Sequence, residues 1–392
     1  MDSFIYALAL APAVKELLPS SGYAGSPAQV AFAGSALFAL FLVGWGLSFL
    51  WGPVADRIGR TRTLAAAIAC YAVFTGAAAL AHTIWQFAIF RFLAGIGIGG
   101  EWSLAGTYVA ELWPEERRVR GAGYLQTGYY VGFFLAAGLN YTVGTIFGWR
   151  ALFLCGTVPV LVAIYVARHV REPERWRPPA QVAPLRHILA APLRRRTWVN
   201  AGLATVSIAG LWAGAVYEPT AILTLAKQAG YSAVAATRWA SLGTGLLSIA
   251  TILGCLAVPP LAQRLGRRIA HALFFVGMAV SIALSFGWAF YLDNALLPFI
   301  ATLLPLGFFG GNFAMYSLWL PEQYPTSVRV TAFAFVTSIG RFVGAGINFL
   351  IGASVAAYGS IGMPVAATAV AFLLGLLLLP ASLETRGLRL PE

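Results

Sequence analysis

Charge is what this sequence has least of. Asp, Glu, Lys and Arg together make up 10% of its 392 residues, with 14 acidic side chains against 26 basic ones. A soluble domain carries about 25% charged residues, so most of the exterior must face lipid rather than water. Cysteine is limited to Cys70, Cys155 and Cys255, each isolated in an apolar run, which gives neither a disulfide framework nor metal-ligand spacing. The four histidines, His82, His169, His187 and His271, are equally scattered. The sequence offers no His/Cys/carboxylate cluster for a metal and no Ser/His/Asp set for nucleophilic catalysis. We therefore expect no enzyme, no metal centre and no cofactor.

What the chain does have is hydrophobic length. Apolar residues fill 59% of it, and a spanning helix needs roughly 20 in a row. Apolar runs fall at about 3–18, 30–51, 63–81, 84–110, 121–145 and 149–168, then at about 198–226, 239–259, 269–291, 294–320, 330–353 and 361–382. The expected fold is an all-α membrane protein with twelve transmembrane helices in two pseudo-symmetric six-helix bundles. These are residues 1–168 and 198–392, joined by a basic linker at 169–197. In the first run only Ser3 to Val14 is uninterrupted and uncharged, a reach of about 18 Å against a hydrocarbon core of roughly 30 Å. The first helix is therefore expected to be truncated, by nature or because the chain starts inside it. The run lacks the basic leader of a signal peptide.

The net charge of +12 follows from topology. With the N-terminus in the cytoplasm, 20 of the 26 basic residues fall in inside loops and the linker. Lys15, Arg150, Lys227 and Arg238 fall outside, and Arg91 and Arg341 lie within helices. Cytoplasmic loops carry the Lys/Arg excess, so both termini are expected inside, and no nucleic-acid partner is needed to explain the charge.

The two halves repeat. Gly52-Pro-Val-Ala-Asp56-Arg57-Ile-Gly59-Arg60-Thr-Arg62 is matched by Pro259-Pro-Leu-Ala-Gln263-Arg264-Leu-Gly266-Arg267-Arg268, an offset of 207. Glu111-Leu-Trp-Pro114, continuing to Arg118, is matched by Glu322-Gln-Tyr-Pro325, continuing to Arg329, an offset of 211. Gly128-Tyr129-Tyr130-Val-Gly132 is echoed by Gly340-Arg341-Phe-Val-Gly344, an offset of 212. Paired halves of this kind place a site at their interface near the bilayer midplane. Gly52 and Gly59 suit a tight turn and close helix approach. Asp56 suits an arginine partner or a helix N-terminus, and the loop arginines can reach acids at neighbouring helix ends, Glu111 among them. Two readings are open: a gate that ties the halves together in one state, or arginines that only fix the loop inside. Because Gln263 stands where the first half has an acid, a matching latch in the second half is expected to be weaker.

These residues carry a resemblance. The G-x-x-x-D-R-x-G-R-x-R run at 52–62 is similar to the signature loop of the major facilitator superfamily, and the likeness extends over nearly the whole chain. More narrowly, Arg91-Phe-Leu-Ala-Gly-Ile-Gly-Ile-Gly-Gly-Glu101-Trp102, Glu111-x-Trp-Pro114, Gly148-Trp149-Arg150 and Arg171-Glu-Pro-Glu-Arg-Trp176 resemble the sialate and monocarboxylate proton-symporter branch, and the tail Leu383-Glu-Thr-Arg-Gly387 is similar to the end of that group and of sugar porters. The resemblance implies two bundles moving by rocker-switch alternating access, driven by protons, with no cofactor. It also implies that Asp2 matches an acid carried in helix one, and Arg91 the helix-four arginine linked to proton coupling.

Two arginines inside the membrane would cost about 5–7 kcal/mol together on insertion scales, so each needs a partner or water. Arg341 lies about 18 Å along its helix from Arg329, with no acid near it in that helix. It either holds a substrate carboxylate by two parallel hydrogen bonds or pairs with an acid on another helix. Asp2 is the expected partner of Arg91, as a proton carrier that Arg91 tunes or as a static tie. Glu101, about 80° round the helix from Arg91, is either a second proton site or an anchor for loop arginines. Glu218-Pro219 marks a helix break, as an outer gate or an ordinary end. Asn312 and Asn348 can supply cavity hydrogen bonds or pack helices. Tyr129, Tyr130, Trp212 and Tyr316 can line the cavity or the core.

The function expected is secondary transport, by proton-coupled symport of a small organic acid, by a monomer in a bacterial inner membrane. The alternatives are a sugar or polyol porter, an exporter, or a receptor of the same fold without transport.

Overall fold

The structure is a computed structural model that describes residues 1–172, 186–191, 193–325, 328–388 and 391. The side chains of Asp56, Glu111, Glu115, Glu116, Arg186, Leu211, Trp212, Ala213, Ala215 and Val216 lie outside the described set. So do most of the linker and the expectations placed on Asp56, Glu111 and Trp212.

The first bundle holds α1 (Asp2–Ser20), α2 (Pro27–Gly46, continued through Leu47–Leu50 into Trp51–Ile58), α3 (Arg60–Ala78), α4 (Ile84–Leu112), α5 (Glu115–Leu139) and α6 (149–169). The second holds α7 (Arg194–Gln228), α8 (Ala233–Leu265), α9 (Arg267–Ile282), α10 (Leu296–Gly310, resumed at Phe313–Trp319), α11 (Arg329–Tyr358) and α12 (362–378). Among the described residues nine helices are long and apolar enough to cross a membrane. One of them, Arg117–His169, is 53 residues long and reverses at Gly148, where φ is 77°, so it makes the two passes α5 and α6. With α1 and α7 this gives the twelve expected segments.

α1 starts at the central cavity and runs past its uncharged stretch to Ser20, about 28 Å at 1.5 Å per residue. Its charged turn is accommodated at the helix end: Glu16 pairs with Arg150 at 2.9 Å and accepts a 2.7 Å bond from Trp149 Nε1. Arg150 also donates to the carbonyls of Ala79 and Ala81, which ties α1 and α6 to the α3–α4 turn. One expectation needs correction: Pro219 does not break α7, which continues for nine more residues. Within a membrane, packed neighbours let a helix keep its course past one missing N–H bond.

The bundles meet along two seams, α2 against α11 and α5 against α8. On the arginine-rich face, the repeated loops share a local device. Gly59 has φ 110° and Gly266 φ 89°, a region that L side chains rarely adopt. Each glycine precedes a helix whose first N–H groups are taken by a carboxylate from a distant segment. Glu172 accepts from the backbone of Arg60, Thr61 and Arg62 at 2.8–3.2 Å. Glu384 accepts from Arg267 and Arg268 at 3.0 and 3.1 Å. For Glu384, outside the helices, partial burial works to raise the carboxyl pKa, but backbone N–H bonds from Arg267, Arg268 and Arg386 outweigh it and hold the group below its ordinary value.

A Cβ on Gly59 would sit 2.3 Å from the Glu172 carboxylate. We therefore expect Gly59→Ala to combine backbone strain of about 1–3 kcal/mol with loss of the cap, worth about 1 kcal/mol. The check is a lower melting temperature in detergent, with Gly52→Ala much milder. At Gly52 a Cβ would meet only ordinary contacts, Thr331 Oγ1 at 3.7 Å.

Candidate functional site

Between the bundles lies a cavity of about 360 Å³. Its walls come from α1, α2, α3, α4 and α5 on one side, and from Ile208 of α7, Phe313 of α10 and Arg341 of α11 on the other. Contacts between the bundles bound it on both faces. On the arginine-rich side Trp102 Nε1 donates to Ser317 Oγ at 3.2 Å, and Arg118 approaches Glu322 at 4.0 Å. On the opposite side the Ser35 and Tyr217 hydroxyls are 2.6 Å apart, and Asn140 donates to Ser241 at 2.9 Å.

Arg341 is 2% exposed, yet it forms no ion pair among the described residues, and its Nε and Nη1 have no hydrogen-bond partner. Its guanidinium carbon lies 4.7 Å from the ring centre of Trp45 and 5.3 Å from that of Trp102. Two indoles at this range stabilise a desolvated cation by about 1–2 kcal/mol each. They leave its edge donors unsatisfied, and a buried orphan donor costs about 1–3 kcal/mol. The arrangement is a buried positive charge at the cavity wall, with two donors that no group among the described residues meets. Tyr129 and Gln126 share that cavity, and Gln126 is oriented by accepting from Trp102 at 3.1 Å and from Ser317 at 3.3 Å.

A second charged centre adjoins the first. Asp2 lines the cavity and is held from behind by Arg91, which is fully buried. The pair is bidentate, with Nη1 to Oδ1 at 3.0 Å and Nη2 to Oδ2 at 2.9 Å. Thr75 donates to Oδ1 at 2.5 Å and accepts from Arg91 at 3.1 Å. The Arg91 guanidinium also lies over the rings of Tyr6, Phe41 and Phe153. Asp2 thus lies between the Arg91 guanidinium and the cavity. Glu101 faces the same space beside Tyr71.

The other residues singled out from the sequence fall elsewhere. The Tyr130 hydroxyl donates to Gly310 at 3.4 Å, and Tyr316 sits behind the wall, donating to the Leu203 carbonyl at 2.6 Å beside Ser207. Asn312 Nδ2 bonds Phe309 across the break in α10, and Asn348 Nδ2 bonds Gly344 within α11. None of these four lines the cavity. Trp45, Trp102, Tyr71 and Gln126 do, and sequence reading did not pick them, because an aromatic in an apolar run reads equally as core or lipid contact.

Of the loop residues, Arg57, Arg62, Gln263 and Arg264 are exposed. Arg329 is buried and donates to the carbonyls of Pro321 and Pro391. In the second half Arg267 grips Glu322 through two bonds of 3.1 and 2.8 Å, and Thr385 donates to the same carboxylate at 2.5 Å. Glu322 therefore stands between Arg267 of its own bundle and Arg118 of the other. Removing its charge leaves Arg267 buried and uncompensated, a loss of about 3–5 kcal/mol where a partner is truncated outright. Glu322→Gln is expected to lower thermal stability and to widen the distance between spin labels at exposed positions 120 and 264 (Arg120→Cys, Arg264→Cys). An unchanged distance would remove Glu322 from the contact that closes this face.

The sequence model of the Major Facilitator Superfamily matches residues 1–347. A Haemophilus influenzae protein named for metabolite transport is 30% identical over 336 residues, 81% of this chain and 80% of its own. A protein of Cupriavidus pinatubonensis, named a probable 4-methylmuconolactone transporter, is 29% identical over 79% of this chain and 71% of its own. Among solved structures, a D-xylose-proton symporter superposes with a TM-score of 0.75 at 21% identity, covering 99% of this chain and 96% of that one. At that identity the likeness concerns the fold.

Proposed function

We propose, since this chain belongs to the Major Facilitator Superfamily and is a multi-pass membrane transporter rather than an enzyme, that it is a proton-coupled symporter of a small organic anion. The observation that carries the reading is Arg341, a buried guanidinium on the cavity wall with partnerless donors. Planar donors in a fork match a carboxylate bidentately, and a neutral sugar would leave the charge unanswered. Asp2, paired with Arg91 and open to the same cavity, is assigned the transported proton. Protonation removes its charge and loosens the Arg91 grip, so cargo and proton share one space. Glu101 is kept as a second protonatable wall group.

The Lys/Arg bias supports a cytoplasmic position for the arginine-rich face, and the bacterial relatives favour an inner membrane. Contacts on both faces of the cavity fit an occluded intermediate of alternating access. The test is uptake into proteoliposomes against a panel of carboxylates and sugars, with and without an imposed pH gradient. Competition by carboxylates alone, with accumulation that collapses with the gradient, is the expected result. Competition by neutral sugars alone would overturn the substrate class, and indifference to the gradient would overturn the coupling.

A further inference from the structure

The second bundle contains an acid that this mechanism does not use. Glu218 of α7 is 0% exposed, accepts one bond from Thr244 of α8 at 3.0 Å, and leaves its other oxygen, Oε1, without a partner. No cation pairs with it among the described residues. α10 and α12, both packed on α7, carry no charged side chain in their helical residues. On α8, Arg238 and Arg264 are exposed near the two ends. On α11, Arg341 faces the cavity and Arg329 is held by loop carbonyls at the far end. On α1, Asp2 is committed to Arg91, and Lys15 and Glu16 are exposed. Glu218 is not on the cavity wall.

Its neighbours give that isolation a consequence. Tyr217, the preceding residue, forms the 2.6 Å contact with Ser35 that joins the bundles on the face opposite the arginine-rich loops. Pro219, the following residue, removes one helical hydrogen bond and weakens α7 at this point. An ionised carboxylate in such surroundings is strongly unfavourable unless water or a cation reaches it. The closed face therefore suits the neutral acid, and the charged form favours an α7 that swings out to admit water.

We propose that Glu218 is a second proton-binding site, distinct from Asp2, and that its protonation state sets whether the face opposite the arginine-rich loops is closed or open. The site binds a proton when that face shuts and releases it when the face opens. This holds for any cargo, so it stands apart from the organic-anion reading.

The experiment measures the distance between spin labels at exposed positions 28 and 227 (Ala28→Cys, Lys227→Cys) in the full chain without substrate, between pH 5 and pH 9. The distance is expected to widen as pH rises. Glu218→Gln, which keeps the Thr244 bond and cannot ionise, is expected to stay at the narrow value throughout. Thr244→Val removes the donor that favours the ionised form and is expected to move the transition to higher pH by about one unit. A native distance that ignores pH, or a Thr244→Val profile superimposable on the native one, overturns the proposal even if Glu218→Gln does not fold. A response that survives in Glu218→Gln and vanishes in Asp2→Asn would assign the site to Asp2 instead.

Discussion

Replacing Arg341 with lysine is expected to weaken binding of the transported anion about 100-fold while leaving the fold intact. The magnitude comes from the bond geometry. A guanidinium offers a carboxylate two parallel charge-assisted bonds, whereas an ammonium on a flexible stem holds it as a point charge. Hydrogen bonds to charged groups contribute about 1.5–3 kcal/mol each, and 1.4 kcal/mol is a factor of ten in affinity. Lysine keeps a charge near the rings of Trp45 and Trp102 but not the guanidinium carbon 4.7 and 5.3 Å from their centres.

Stability is expected to move little, because the native guanidinium has no acidic partner to abandon. That separates the binding role from a structural one. The readouts are substrate-induced stabilisation in a thermal melt, which falls with affinity, and initial uptake rates. A variant that melts lower yet binds and transports normally would make Arg341 a packing element and remove the ground for an organic-anion cargo.

The second large effect concerns Asp2. Asp2→Asn is expected to abolish accumulation driven by a pH gradient while sparing exchange of labelled for unlabelled cargo across the membrane. Exchange needs only the loaded carrier to reorient, whereas uphill accumulation needs a proton to be carried and released. The substitution also has a structural cost. Arg91 is fully buried and, among the described residues, its ion pair is with Asp2, and breaking a buried pair from one side costs about 3–5 kcal/mol.

The Thr75 hydroxyl and the rings of Tyr6, Phe41 and Phe153 remain around Arg91, which places the loss toward the lower end. A double-mutant cycle with Arg91→Gln separates the two roles. Stability should recover in the double variant, while gradient-driven uptake should not. If Asp2→Asn still accumulates cargo in proportion to the pH gradient, the proton travels elsewhere, with Glu101 next in line on the same wall.

Much of the architecture was legible residue by residue. Runs of about 20 apolar residues leave a chain few options in lipid, since every backbone polar group must be satisfied within its own helix. Near-constant offsets between Asp56 and Gln263, Glu111 and Glu322, or Tyr129 and Arg341 disclosed the duplication. The solitary charges Arg91, Asp2 and Arg341 stood out because few residues of their kind occur in such runs. The paired caps were not read from the sequence, although Glu172 and Glu384 are separated by 212 positions, the offset already seen between Gly128 and Gly340. Nor was the partner of Arg267 legible, because Glu322 reaches it from a segment 55 positions away.

The sequence by itself determined that this is a twelve-helix membrane protein built from two related halves, and that a few charges sit where lipid would not tolerate them alone. Only the tertiary structure decided which charges are answered. Asp2 lies against Arg91, Glu322 against Arg267, and Arg341 and Glu218 have no counter-charge among the described residues. The physical reason is reach. Helix formation and membrane insertion depend on neighbours within a few residues, which a chain prints in order. Pairing across helices depends on how far each cylinder is rotated and translated against the next, and no local pattern records that.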